Sequence, residues 1–341
     1  MWIKQLDDQS AARWDAFVDA CPGATFFHRA GWKRVIESSF GHPCHFLFAE
    51  AGGAVRGVLP LVHLKSRLFG NALISSAFCV YGGVASQDET ARHALDTHAL
   101  DLADSLDVDY VEYRNLAATH TDWACNADLY ATFRKQLDPD PERNFRAIPR
   151  KQRAMIRKAM KAELRGEIDP GVDRFFSIYA ESVRNLGTPV LPGRYFQILK
   201  EEFGDDCQVL TVTRAGMPVS SVMSFYFGSE VLPYYGGGTA AARRDAANDF
   251  MYWELMRRSC SSGVRVFDFG RSKRGTGSFA FKTHWGFVPQ PLHYEYKLLR
   301  RSEIPAINPL NPRYRFLIAL WKRLPLPFSN AIGPLVARNL G

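Results

Sequence analysis

Four elements recur in the same order in the two halves of this 341-residue chain, offset by about 155 to 162 residues, so that each copy is long enough to be a lobe of its own. HFLFAEAGGAVRGVLPLVHL (45–64) reads as strand, glycine turn, strand; CQVLTVTRAGMPVSSVMSFYF (207–227) reads the same way, turning at Ala215 and Gly216. A Tyr-Gly-Gly element follows each hairpin: Tyr81, Gly82 and Gly83, then Tyr235, Gly236 and Gly237. A helical stretch comes next, Glu89 to Leu106 and Asp249 to Ser261. A short apolar strand bearing an acid closes each copy, VDYVEYRN with Glu112 and VRVFDFGR with Asp268. Hairpin, helix and further strand predict a mixed sheet flanked by helices in each copy, an α/β (α+β) fold. Two such lobes side by side would leave a cleft, a favoured place for a ligand.

LDPDPERNF (137–145), rich in proline and charge, marks the expected boundary, after a strand at 129–137. The expected division is an N-terminal lobe 1–137, a C-terminal lobe 138–300 and a tail 301–341. The apolar fraction of 46% supplies material for two cores, and 23% charged residues at a mean hydropathy of -0.20 exclude a disordered chain. The net charge of +8 suggests anionic partners. Six scattered cysteines without a CxxC pair read as reduced thiols. The opening MWIKQLDDQSAARWDAF lacks the pattern of a signal peptide, and no uncharged run reaches the roughly 18 residues of a spanning helix, so a cytoplasmic location is expected.

IPRKQRAMIRKAMKAELRGE (148–167) begins the second copy as a basic amphipathic helix, with Ile156, Met160 and Leu164 on one face and Arg150, Arg153, Arg157 and Lys161 on another. Either a solvated face or the lip of an anion site fits it. The segment FDFGRSKRGTGSFAFKTHWGF (267–287) carries the densest chemistry. Gly270 and Gly275 have the spacing of a phosphate loop, but Thr276 and Gly277 replace its Lys and Ser/Thr, which argues against ATP hydrolysis. What remains is a cationic turn, Arg271, Lys273, Arg274, Gly275 and Gly277, able to meet an anion. Lys282, beside Phe281, Trp285 and Phe287, is either desolvated and able to steady an oxyanion, or an aliphatic stem with its ammonium in water. Asp268, at a predicted strand end, could take a proton from an attacking amine or anchor Arg271. Asp249 and Glu254, near the start of the preceding helix, share that neighbourhood. His284 and His293 have no partner at metal spacing, and no nucleophile elbow is present, so metal-dependent and triad hydrolysis are disfavoured.

TFFHRAGW (25–32, with Trp32), the paired YGGVAS and YGGGTA, the basic PRKQRAMIRKAMK and the closing FDFGRSKRGTGSFAFKTHWGF together resemble the FemAB-like group of the GNAT-type acyltransferase superfamily, especially its PEP-CTERM/exosortase-associated members of exopolysaccharide loci. The resemblance spans nearly the whole chain. It implies two tandem GNAT-like acyl-CoA N-acyltransferase lobes around a cleft, and transfer of an acyl or aminoacyl group to an amine. The acceptor would be a small molecule or a glycan-linked, cell-envelope amine. The donor would be acyl-CoA or aminoacyl-tRNA, and no metal is expected. The family's Phe-Lys pair falls on Phe281 and Lys282, with Lys282 in the reaction channel. A pyrophosphate loop would lie in GGGTAAARRDAANDF, where Arg244 is followed by Ala246, Ala247 and Asn248 in place of glycines. No heptad arm of the kind found in tRNA-using relatives is evident.

Candidate site residues are thus Lys282 and Asp268 for catalysis, and Arg271, Lys273, Arg274, Gly275, Gly277, Phe281, Trp285, Tyr235, Gly236, Gly237, Arg244 and Trp32 for binding. The tail carries Tyr314, Phe316, Leu317, Leu320 and Trp321 among Arg313, Arg315, Lys322 and Arg323. It either packs back on the protein or lies peripherally at the inner membrane. Two further function classes stay open: a noncatalytic binder of a polysaccharide or lipid-linked precursor, and RNA binding through the basic helix. The oligomeric state is not readable.

Overall fold

The computed structural model describes residues 1–66, 70–305 and 318–339. The chain divides into two compact units, residues 1–129 with 291–308 and 338–341, and residues 130–290 with 309–337. The first unit opens with β1 (Trp2–Gln5), α1 (Ala11–Ala20) and α2 (Gly31–Phe40). Its predicted hairpin is β2 (Cys44–Ala51) and β3 (Ala54–Ser66), turning at Gly52 and Gly53 with φ of 58° and 80°, a region glycine enters without a Cβ penalty. Then come β4 (Gly70–Ser75), β5 (Ala85–Ser86), α3 (Glu89–Ser105), β6 (Tyr110–Asn115) and β7 (Ala124–Asn126). β4 and β6 are parallel, Leu73 opposite Val111, and α3 is the crossover such a pair requires. Asp88 caps α3, accepting from the Ala91 N–H at 2.8 Å. Leu95 and Ala99 of α3 pack with Leu47, Leu59, Leu73 and Val111 of the sheet.

The second unit contains β8 (Tyr130–Thr132), β9 (Arg134–Gln136), α4 (Pro141–Ala147), α5 (Arg150–Lys161), β10 (Leu164–Asp169), α6 (Asp173–Leu186) and α7 (Gly193–Phe203). Its hairpin is β11 (Cys207–Arg214) and β12 (Met217–Phe227), joined at Ala215 and Gly216, both with positive φ. β13 (Glu230–Gly238), α8 (Ala240–Arg244), α9 (Ala247–Ser261), β14 (Val266–Asp268), β15 (Ser272–Lys273) and α10 (Gly277–His284) follow. β13 and β14 are parallel, Val231 opposite Phe267, with α9 as the crossover. After the two-residue β16 (Gln290–Pro291), β17 (His293–Leu298) belongs to the first unit and α11 (Leu326–Ala337) to the second.

The two large sheets run β1-β2-β3-β4-β6-β17-β7, with β5 on β3, and β10-β11-β12-β13-β14-β9. Over six strands the plans coincide. The sixth strand of each is exchanged in chain order: β9 follows the first copy yet pairs with β14, Lys135 opposite Phe267, while β17 follows the second copy yet pairs with β6, Glu295 opposite Tyr113. The expected lobe limits at 137 and 300 therefore differ from the units, because a strand's partner is a non-local choice that its own residues do not encode. The Tyr-Gly-Gly correspondence also shifts. Tyr235, Gly236 and Gly237 lie within β13, whereas Tyr81, Gly82 and Gly83 lie after β4, which is the structural counterpart of β13. On α5 the buried positions are Gln152, Ile156 and Ala159. Met160 is exposed and Leu164 begins β10, contrary to the expected stripe. Tail residues 313–317 lie outside the described residues. Among the described residues no helix is long and apolar enough to cross a membrane.

One cluster fixes β17 into its sheet. Glu295, fully buried, accepts from the N–H groups of Thr119 (2.8 Å) and His120 (2.9 Å) and from the Thr119 hydroxyl (2.7 Å). The His120 ring stacks on Trp123 at 4.1 Å and joins Glu295 (Nδ1, 3.1 Å) to Asp96 (Nε2, 3.2 Å). Burial opposes charge on His120, but hydrogen bonds to Asp96 and Glu295 outweigh it and raise the imidazole from 6.5 to about 9. Burial likewise opposes charge on Glu295, yet its hydrogen bonds from His120 and Thr119 hold it at about 2. The His120 contribution is complete below pH 6.5 and is lost as pH rises through about 9; that of Glu295 is complete above 4.5 and is lost as pH falls toward about 2. Urea unfolding across pH should show wild-type stability falling between pH 6.5 and about 9. His120→Ala should lose roughly 3 kcal/mol near neutrality and flatten that decline.

Candidate active site

In the second unit β14 ends at Asp268, and the chain turns through Gly270, at φ 66°, toward α10. Asp268 is fully buried. Its Oδ1 accepts from the Thr132 hydroxyl (2.9 Å) and the Gly270 N–H (2.8 Å), and its Oδ2 pairs with Arg134 at 3.4 Å. Arg134 also pairs with Glu230, whose carboxyl is raised by burial against the pull of Arg134. Asp268 thus organises a turn and a strand pairing, and it anchors Arg134.

α10 starts at Gly277 behind Thr276, whose hydroxyl accepts from the Phe279 N–H at 3.4 Å. Lys282 on this helix is 9% exposed, and its Nζ donates to the carbonyls of Gly270 (2.9 Å) and Arg271 (3.1 Å). The rings of Phe133 and Phe269 lie 5.5 and 6.0 Å from Nζ. The reading with the ammonium in water is therefore overturned. Burial lowers the Lys282 amine from 10.5 to about 7, with Asp268 opposing and Arg271 reinforcing the shift.

The predicted aromatics Phe281 and Trp285 pack with each other (6.0 Å) and with Tyr252 (5.7 Å from Phe281), and Tyr252 packs on Phe269 (4.8 Å). Trp285 is fully buried, its Nε1 donating to Asp249 Oδ1 at 3.1 Å; Gln152 donates to the same oxygen at 2.8 Å, and burial raises that carboxyl. Asp249 ties α5, α9 and α10 together. Glu254, one turn further on, is held by Arg257 and Arg258 and stands apart from this group.

The cationic turn is partly engaged. Arg271 lies over the Tyr130 ring at 4.6 Å and Arg274 over Phe279 at 5.9 Å, while burial lowers the Lys273 amine. Gly275 takes φ 77°, and both it and Gly277 have open space where a Cβ would stand. Ser272, between Arg271 and Lys273, is buried with an unpartnered hydroxyl.

Other sequence candidates fall elsewhere. Tyr235 belongs to an aromatic core, its hydroxyl bonded to that of Tyr195 at 2.8 Å. Gly237 admits Ser182, which a Cβ would meet at 2.5 Å, and a Cβ on Gly236 would meet the Tyr252 hydroxyl at 3.2 Å. These glycines serve close packing of β13. Trp32 lies in the first unit's core, donating to the Phe26 carbonyl at 3.0 Å. Arg244 is exposed at the end of α8, and two residues later Ala246 adopts a left-handed φ of 54° before α9. The turn from β13 to α9 thus keeps a glycine-type backbone although alanine occupies it. Among the described residues no group of His, Cys, Asp and Glu could hold a metal ion. Sequence reasoning missed Phe133 and Arg134, which carry no local signal, and Tyr252, three residues after Asp249 on α9.

Residues 143–283, which include Asp268 and Lys282, match the family model of the acetyltransferase (GNAT) domain. The chain is similar to the solved structure of FemX, with 15% identity and a TM-score of 0.68 over 88% of this chain and 98% of that one. A conserved protein of unknown function from Bacteroides thetaiotaomicron gives 10% identity and 0.61 over 87% and 99%. A tandem GNAT protein from the clavulanic acid biosynthesis pathway gives 14% identity and 0.55 over 89% and 99%. No curated protein sequence matches the chain. The fold is the tandem GNAT-like α/β fold that the sequence reading expects. Asp268→Ala should leave Arg134 without its buried carboxylate and the Gly270 N–H without its acceptor; urea unfolding should register a loss of about 2 kcal/mol.

Proposed function

We propose that the chain is an N-acyltransferase that joins an acyl group from a thioester donor to an amine of a cell-envelope or exopolysaccharide-related acceptor. The observation that carries this reading is Lys282: a desolvated amine near pH 7, held by two backbone carbonyls inside the segment that matches the GNAT domain. As a neutral amine, Lys282 has two N–H groups, which the Gly270 and Arg271 carbonyls take up, and one lone pair left to accept a proton from the attacking amine. As the amine nitrogen attacks the thioester carbonyl and the C–N bond forms, its proton passes to Lys282, which as an ammonium has a third N–H for the developing oxyanion. The intermediate collapses, the C–S bond breaks, and the departing thiolate takes that proton back from Lys282 and leaves as the thiol.

The other residues take supporting roles in this scheme. Asp268 is a positioning residue that fixes the Gly270 turn and so the carbonyls gripping Lys282. Tyr252, whose phenol burial raises to about 12 and so keeps protonated, is the hydrogen-bond donor for the leaving sulfur. Arg271, Lys273 and Arg274, together with Arg244 and the β13–α9 turn, offer cations and N–H groups to the donor's phosphates. Phe281 and Trp285 exclude water from the amine.

A second reading draws on α5. Its Arg150, Lys151, Arg157, Lys158 and Lys161 are exposed, and no acid pairs with them among the described residues. That face suits a polyanion such as RNA, and a binding constant that drops steeply with salt would support it.

Thiol release from a panel of acyl-CoA thioesters with amine acceptors tests the main reading. Turnover should rise with pH through about 7, as Lys282 loses its proton. Lys282→Met should melt near wild type yet lose at least about 100-fold in turnover. Wild-type turnover in that variant removes Lys282 from the chemistry, and absence of thiol release with every pairing removes the thioester.

A further inference from the structure

α11 packs with its amphipathic sense inverted. Ser329, Gly333 and Ala337, one turn apart, are buried, and Gly333 sits so close to Val190 that a Cβ would meet its backbone N at 2.9 Å. The large residues point the other way: Phe328 is 62% exposed, Ile332 43% and Leu335 65%. At i, i+4 and i+7 these three share one face, with Ala331 exposed beside them. Small residues inside let the helix approach α6 and the Val190 segment closely; its large apolar residues are left together on the outer face, the kind of contiguous patch that marks an interaction site.

Charge decides what that is. From Ile304 to the last residue the sequence holds no Asp or Glu, while Arg313, Arg315, Lys322, Arg323 and Arg338 are cationic. Lys322 and Arg323, both exposed, stand two residues before the helix, and Arg338, whose guanidinium donates to a backbone carbonyl at 2.9 Å, immediately follows it. Between these flanks, 324 to 337 carry no ionisable group. An apolar face bracketed by cations on an otherwise acid-free segment complements an anionic lipid surface, with the side chains among the acyl chains and the cations at the headgroups. At about 1.5 Å per residue α11 is about 18 Å long, too short to span a bilayer and suited to lying along one.

We infer that the α11 face of Phe328, Ile332 and Leu335, with Lys322 and Arg323, docks the protein on anionic phospholipid membranes. The inference is independent of the acyl-transfer reading, and its test uses no turnover. The purified full chain is sedimented with phosphatidylcholine vesicles, with and without phosphatidylglycerol. Wild type should pellet with the phosphatidylglycerol vesicles and stay in the supernatant with phosphatidylcholine alone, and added salt should reduce the bound fraction. Phe328→Asp/Ile332→Asp should abolish pelleting with an unchanged circular dichroism spectrum; the milder Phe328→Ser and the pair Lys322→Gln/Arg323→Gln should each weaken it. Wild type remaining in the supernatant with anionic vesicles overturns the inference, as does binding unaltered in all three variants. A vesicle-indifferent dimer in sedimentation velocity, dissociated by the double aspartate variant, also overturns it and assigns the face to a second copy of the chain.

Discussion

Taking an ammonium out of water is the demand that organises the second unit. Lys282 stands on a short helix with aromatic rings around it, and only carbonyl dipoles and a carboxylate reached through the field oppose its loss of hydration. Those carbonyls point inward because Gly270 turns left-handed and because Asp268 grips its N–H. Asp268 can be fully buried as an acceptor because Thr132 and Arg134 come to it on β8 and β9. The burial of Lys282 thus depends on strand pairing between residues that are more than a hundred positions apart.

The repeat explains why such pairing is available. A parallel pair needs a long crossover, which in each copy is a helix, and the parallel strand then exposes an edge that an antiparallel sixth strand closes. In this chain the closing strand of each sheet is drawn from beyond the other copy. In the first unit β17 is interior, flanked by β6 and β7, and Glu295 gathers hydrogen bonds from the 115–120 segment to hold it. The same layout at the far side of β14 supplies Phe133 and Arg134 to the neighbourhood of Lys282.

Much of this was legible in the residues, and the misses have a common cause. The hairpins are legible as strand, turn, strand around Gly52–Gly53 and Ala215–Gly216, α3 and α9 as the helical stretch that follows the glycines of each copy, and Asp268 as a strand end. Lys282 was legible as an amine among aromatics, but its burial was not, because the rings that matter most, Phe133 and Phe269, include one from far upstream. Tyr235, Gly236 and Gly237 looked like a ligand-facing element, yet their small size and aromaticity serve contacts with Ser182, Tyr252 and Tyr195. The stripe on α5 was misjudged for a similar reason: what its neighbours admit is Gln152 and Ala159, and Met160 turns to solvent. Local pattern reports element type, whereas partner identity and depth are properties of the assembled sheet.

The swapped closing strands also bear on how the chain matures. During synthesis the amino-terminal sheet must wait, with the β6 edge bare and β7 lacking its neighbour, until about 170 further residues have emerged and β17 can slot in. Cutting the gene at the repeat junction would therefore yield two fragments, each missing a rib that its sibling carries.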